Sequence, residues 1–227
     1  MITAYEAKRL PTKASEAPLE DAYLAVEGSK IVSVTASAPV GAEVGDLGDV
    51  TLMPGLIDAH VHMAWTGDPD PEATRIADGP WVTMAKMAKH ALDTLKAGIT
   101  TCRDVGSACD MILGLRRATA LCIILGPRII ASGGLVVMIG GHGCFAVRQA
   151  DGPDEVRKAV REVLHAGADL LKVAASGSVF GSGEEIGSLQ KDLNGLSVAV
   201  REAHKAGRKV AVHVYPAKGD RPGVRSK

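Results

Sequence analysis

Aromatic side chains make up only 3% of the 227 residues, whereas glycine occurs 26 times. That balance speaks against a sandwich packed around large rings and suits short, tight βα loops. Charge of one sign is also lacking. Lys+Arg and Asp+Glu are 26 each, so no global field exists to recruit nucleic acid or an anionic membrane. The four cysteines, Cys102, Cys109, Cys122 and Cys144, form no Cys-x-x-Cys pair, which argues against a structural zinc ribbon. Their scatter fits reduced thiols and a cytoplasmic location. The first ten residues carry Glu6, Lys8 and Arg9 but no apolar h-region, so no secretory signal is expected. The longest apolar stretch, 118–141, is broken by Pro127, Arg128 and several glycines, too interrupted for a membrane span. What remains is a composition of 46% hydrophobic and 23% charged residues, ordinary for a soluble core with a small appendage.

Two textures follow one another along the chain. Residues 1–52 read as a small β-domain, with β-prone runs at 22–26, 30–34 and 50–52 and a Glu27-Gly28-Ser29 turn between the first two. From Met53 onward, strands alternate with helices. Strand candidates lie at 55–62, 100–104, 128–131, 170–174 and 210–214. Between them, Val156, Ala159, Val160, Val163 and Leu164 form the i, i+3, i+4, i+7, i+8 stripe of an amphipathic helix over 154–166. Pro153 suits its first turn and Gly167 its stop. A helix over 82–96 ends at Ala97-Gly98, and another ends at Ala206-Gly207. Three helices that stop at Ala-Gly and feed a strand within a few residues are the pattern of repeated βα units.

The chemistry-bearing residues fall at the ends of those strands. In Pro54-Gly55-Leu56-Ile57-Asp58-Ala59-His60-Val61-His62, strand alternation puts Asp58, His60 and His62 on one face. Two neighbouring imidazoles can chelate one metal ion with neutral nitrogens, and Asp58 can support them or orient the turn. A bare His-x-His also describes two partly exposed histidines at a strand end. Lys172 stands inside an apolar strand, where burial costs an ammonium dearly and drives it toward the neutral amine. The competing reading is a snorkelling lysine paired with a carboxylate. His213 lies near the end of the last strand candidate.

The first of these motifs closely resembles the first barrel strand of the amidohydrolase superfamily. Gly98-Ile99-Thr100-Thr101-Cys102-Arg103-Asp104 resembles its second strand. Ala168-Asp169-Leu170-Leu171-Lys172-Val173 resembles its fourth, and Gly207-Arg208-Lys209-Val210-Ala211-Val212-His213 its fifth. The resemblance runs in order over nearly the whole chain. It implies a (β/α)8 TIM barrel of which about five βα units are present, over 53–227, behind the β-domain of 1–52. It further implies two divalent metal ions, zinc foremost, held by His60, His62, Lys172 and His213. Lys172 would serve as a carbamate formed with carbon dioxide, offering an oxygen to each metal. The family's histidine after strand six and its proton-transferring aspartate after strand eight have no counterpart before Lys227. The expectation is therefore a C-terminally truncated barrel whose catalytic acid–base residue is unknown.

Gly140-Gly141-His142-Gly143, His213-Val214-Tyr215 and the run Asp151-Gly152-Pro153-Asp154-Glu155-Val156-Arg157 resemble the branch that holds imidazolonepropionase and the Xaa-Pro and Xaa-Arg/Lys dipeptidases. That implies substrate contact by His142 and Tyr215, which otherwise read as a glycine-flanked loop residue and a wall residue. The activity implied is hydrolysis of a peptide-like C–N bond in a small substrate such as a dipeptide. The alternatives are a cyclic-amide hydrolase and an inactive partial barrel. A homo-oligomer is expected, with no nucleic-acid or membrane partner. His90, His165 and His204 lie within helices and read as structural. Asp104 reads either as support for the site or as a helix cap. The Ser/Gly-rich run after strand four, 176–183, lacks a P-loop ending and reads as a substrate loop or lid.

Overall fold

The computed structural model describes residues 1–144, 147–177 and 185–215. The chain divides into two compact units, Met1–Gly55 and Leu56–Lys227. The division falls three residues beyond position 52. Leu52 still donates its N–H to Arg9 in the first unit, whereas the Leu56 N–H already bonds Gly98 in the second.

In the first unit, β1 (Ile2–Leu10), β2 (Leu19–Glu27), β3 (Lys30–Thr35) and β4 (Glu43–Asp46) form a sheet of order β3-β2-β1-β4. Strands β1 and β2 pair antiparallel, and β4 lies parallel to β1. Ala4, Ala7, Leu10, Ala22 and Ala25 are buried. The turn between β2 and β3 has Gly28 at φ +59. Strand β1 escapes a simple pattern reading because Glu6 and Lys8 interrupt its apolar positions. The β-prone run at 50–52 contributes only an isolated bridge from Thr51 to Arg9.

The second unit repeats strand and helix. It runs β5 (Leu56–Val61), α1 (Pro71–Lys96), β6 (Ile99–Asp104), α2 (Cys109–Ala120), β7 (Arg128–Ala131), β8 (Leu135–Val137), β9 (Arg148–Gln149), α3 (Gly152–His165), β10 (Leu170–Ala174), α4 (Leu193–Lys205) and β11 (Lys209–His213). Two parallel sheets result, β5-β6-β7 and β11-β10-β8-β9. Strands β7 and β8 stand where one barrel strand is expected, split at Ser132-Gly133-Gly134. Asp169, just ahead of β10, donates its N–H to Ala131 O at 2.8 Å and accepts from Ala131 N at 2.9 Å, which ties β7 to the second sheet. The fold is thus a partial (β/α) barrel.

Helices cover one face of these strands. Met87 and Ala91 of α1, with Ile112 and Leu115 of α2, pack on Cys102, Ile129 and Ala131. Val156, Ala159, Val160 and Val163 of α3, with Val198, Ala199 and Ala203 of α4, pack on Val136, Leu171 and Val173. Helix α1 begins eleven residues before position 82, because Asp70 caps Ala73 N at 2.9 Å. It is broken inside at Gly79 and Pro80. The stops at Gly98, Gly167 and Gly207 all have positive φ, the conformation that lets a helix end and its chain turn into a strand. Among the described residues no helix is long and apolar enough to cross a membrane.

Candidate active site

The strands present their polar residues at one end. Strand β5 pairs with β6 so that Val61 lies beside Asp104, but the register shifts between Asp58 and Val61. Two side chains hold that irregularity. Asp58 Oδ1 accepts from His60 N at 3.0 Å, and Arg103 Nε donates to Ala59 O at 2.7 Å. Here Asp58 orients the turn that presents His60. The His60 and His62 rings lie edge to face with centroids 5.3 Å apart, and Trp65 lies 5.7 Å from His62. His62 Nδ1 is 2.7 Å from Gly106 O.

Lys172 lies in a strand buried throughout, between Leu135 of β8 and Ala211 of β11, and is itself 3% exposed. Burial first, and then the Arg103 guanidinium, pull its pKa below that of an ordinary lysine. Among the described residues no carboxylate pairs with it, so the snorkelling ion pair is not what the structure shows. The His60 imidazole is also held low, by burial first and then by Lys172, His62 and Arg103, with Asp58 opposing. His142 is pushed down to about 4 by burial, then by His62 and Lys172, so it is neutral near pH 7.

His142 stacks on His213 with centroids 4.2 Å apart and planes 14° from parallel, and His213 lies 5.5 Å from the Tyr215 ring. Each is also held through its backbone. The His142 N–H donates to Gln190 Oε1 at 3.0 Å, and the Tyr215 N–H donates to Ser176 Oγ at 2.8 Å. His60, His62, Lys172, His142, His213 and Tyr215 therefore form one chain of ring contacts and electrostatic neighbours. Among the described residues, however, no three His, Cys, Asp or Glu side chains stand close enough to hold one ion. The donors that fit a metal are an imidazole pair, a buried amine of lowered pKa and, beside His142, the His213 ring.

The remaining candidates sort by location. His90 Nδ1 bonds Met63 O at 2.9 Å, which ties α1 to the chain after β5. His165 and His204 occupy the last turns of α3 and α4. Asp104 does not cap α2, whose N-cap is Ala108 with no side-chain hydrogen bond. Most of the Ser/Gly-rich run, 178–183, lies outside the described residues. Arg103 and Gln190 carry no role in the sequence reading, and Ser176 enters it only as the first residue of the Ser/Gly-rich run. Only Arg103 carried a signal, as a charged residue inside a barrel strand.

Parallel strands wrapped by helices, with their polar residues gathered at one end, define a (β/α)-barrel protein. The chain belongs to the amidohydrolase family, whose profile matches residues 51–225. Ochratoxinase of Aspergillus niger is 31% identical over 195 residues, which is 74% of this chain and 40% of that protein. A prolidase solved with N-methylphosphonate-L-proline superposes with a TM-score of 0.84 at 29% identity, over 95% of this chain and 56% of its own. A Xaa-Pro dipeptidase solved with methionine in its active site gives 0.81 at 27%, over 94% and 57%. The chain thus spans about half the length of the relatives it matches.

Proposed function

We propose that this chain is the metal-binding part of an amidohydrolase that cleaves a peptide-like C–N bond in a small substrate, a dipeptide of the Xaa-Pro or Xaa-Arg/Lys kind. The observation that carries this reading is the grouping of His60, His62, His142, His213 and Tyr215 near the strand ends, where (β/α)-barrel active sites are built, with Lys172 of β10 as an electrostatic neighbour of His60 and His142. The prolidase and Xaa-Pro dipeptidase likenesses support the substrate class, and ochratoxinase supports hydrolysis of an amide. His60 and His62 would hold one divalent ion, zinc in our reading, and His213 a second, with Lys172 as a carbamate between them. When bound, such ions polarise a carbonyl and make water a nucleophile near neutral pH. The chain's own part is to lower the Lys172 pKa by burial and then by Arg103, which favours the neutral amine that takes up carbon dioxide. Neutral His142 can donate a hydrogen bond to a substrate carbonyl or carboxylate, and the Tyr215 hydroxyl can do the same.

The test is elemental analysis of the purified chain, followed by a dipeptide panel. Zinc is expected in the wild type and should be lost in the H60A/H62A double variant. Release of proline, arginine or lysine is expected once the chain is fused to the last three βα units of a prolidase relative. In that fusion, H142A and Y215A should weaken turnover and leave metal content unchanged. A wild-type chain that takes up no divalent metal would overturn the reading.

A further inference from the structure

We propose that Asp104 and Ser107 are positioning residues for His62, acting through the carbonyl of Gly106 to fix which ring nitrogen faces the site. The purpose of this device rests on the metal-site reading above, but its geometry stands by itself. Strand β5 ends at Val61 and β6 at Asp104, and the ladder continues one step further as the Val105 N–H donates to Val61 O at 3.0 Å. Beyond that point the two chains separate, and side chains take over from the ladder. The Asp104 carboxylate, with no exposed surface, accepts from Met63 N at 2.7 Å, Gly106 N at 3.1 Å and Ser107 Oγ at 2.6 Å. Ser107, 1% exposed, accepts in turn from Ala64 N at 3.2 Å. One buried carboxylate and one buried hydroxyl thus staple the loop after β6 to the loop after β5, directly behind His62.

The consequence falls on Gly106. Its φ is +134, and an added Cβ would lie 3.4 Å from Leu135 Cβ and 3.7 Å from both Nδ1 and Cε1 of His62. The backbone conformation calls for glycine here, while the space around the position would be ordinary contact. The Gly106 carbonyl thereby sits 2.7 Å from His62 Nδ1. A carbonyl can only accept, so Nδ1 must carry the proton and Nε2 keeps its lone pair for the site. A buried carboxylate is costly unless its oxygens are satisfied. Among the described residues, every hydrogen bond to the Asp104 carboxylate comes from these two loops, which ties its burial to the loop geometry.

The tautomer of His62 is read in the metal-free chain by long-range proton–nitrogen NMR of labelled histidine, and zinc affinity is measured by competition with a chelator. Wild type is expected to show His62 protonated at Nδ1. S107A and D104N should give a mixture of His62 tautomers, leave the His90 signal in place and weaken zinc binding about 10- to 100-fold. Variants that keep the wild-type His62 tautomer would overturn the inference. S107A, which removes one hydroxyl, decides the matter if D104N does not fold. A wild type with the Nδ1 proton but no zinc affinity would sink the proposed function and leave the positioning role standing.

Discussion

At the scale of single residues, burial governs reactivity in this chain. Cys102 has no exposed surface, and burial, then Asp104 and Asp58, push its thiol up to about 12. Cys122 sits exposed just after α2. Because the thiolate is the reactive form, iodoacetamide at pH 8 is expected to modify Cys122 in the folded chain and to reach Cys102 only after unfolding. Peptide mass mapping with and without urea checks this. Labelling of both at equal rates in the folded protein would contradict it. Lys172 invites a sharper experiment. Lys172→Met keeps the length and volume of the buried side chain but removes the amine, so metal uptake should fall while the melting temperature holds or rises. Elemental analysis beside a thermal melt separates a ligand role from a packing role.

Among the elements, the β10–α3–α4 layer is where both stability and acid sensitivity concentrate. Leu171 is fully buried against both helices, so Leu171→Ala should cost about 2–5 kcal/mol in urea unfolding. Leu125→Ala, at a residue 68% exposed, should stay within about 0.5 kcal/mol. Helices α3 and α4 are joined by Glu202, which bonds Lys205 of its own helix and Arg161 of α3, both at 2.8 Å. Lys205 first, then Arg161, hold its carboxyl down to about 2 from an ordinary 4.5. The folded state therefore favours the ionised form. That contribution is present above pH 4.5 and is lost as the pH falls toward 2. Melting temperatures of wild type and Glu202→Gln should differ at pH 6 and converge near pH 2. A gap that stays constant across that range would show that the ion pairs add nothing.

At the scale of the barrel unit, the first and fifth barrel positions are open edges among the described residues. Among the described residues β5 pairs only with β6 and β11 only with β10, and on these edge strands Ile57 is 73% and Val212 44% exposed. Unpaired parallel edges beside exposed apolar side chains favour association with another chain. Sedimentation of the 227-residue chain is expected to show concentration-dependent self-association, reduced by Val212→Lys.

The order of βα units was legible in the sequence because it rests on local rules. Ala-Gly stops, the α3 stripe and apolar strand runs all act within a few residues of themselves, and the strands at 128–131 and 170–174 match β7 and β10 in full. His60, His62 and His213 could be singled out for the same reason, as polar residues near strand ends, and Lys172 as a charge inside an apolar strand. Strand β1 could not be read so simply, since charged residues interrupt its buried positions, and β8 is only three residues long. The tertiary structure alone decided what lies behind the candidate ligands. Asp104 reaches Met63 across 41 positions, Arg103 reaches Ala59 across 44 and Gln190 reaches His142 across 48. Such contacts leave no periodic trace in a sequence, because they depend on which loops the barrel's curvature brings side by side. Local patterning marked the candidate residues, and long-range packing brought the Gly106 carbonyl to His62 Nδ1.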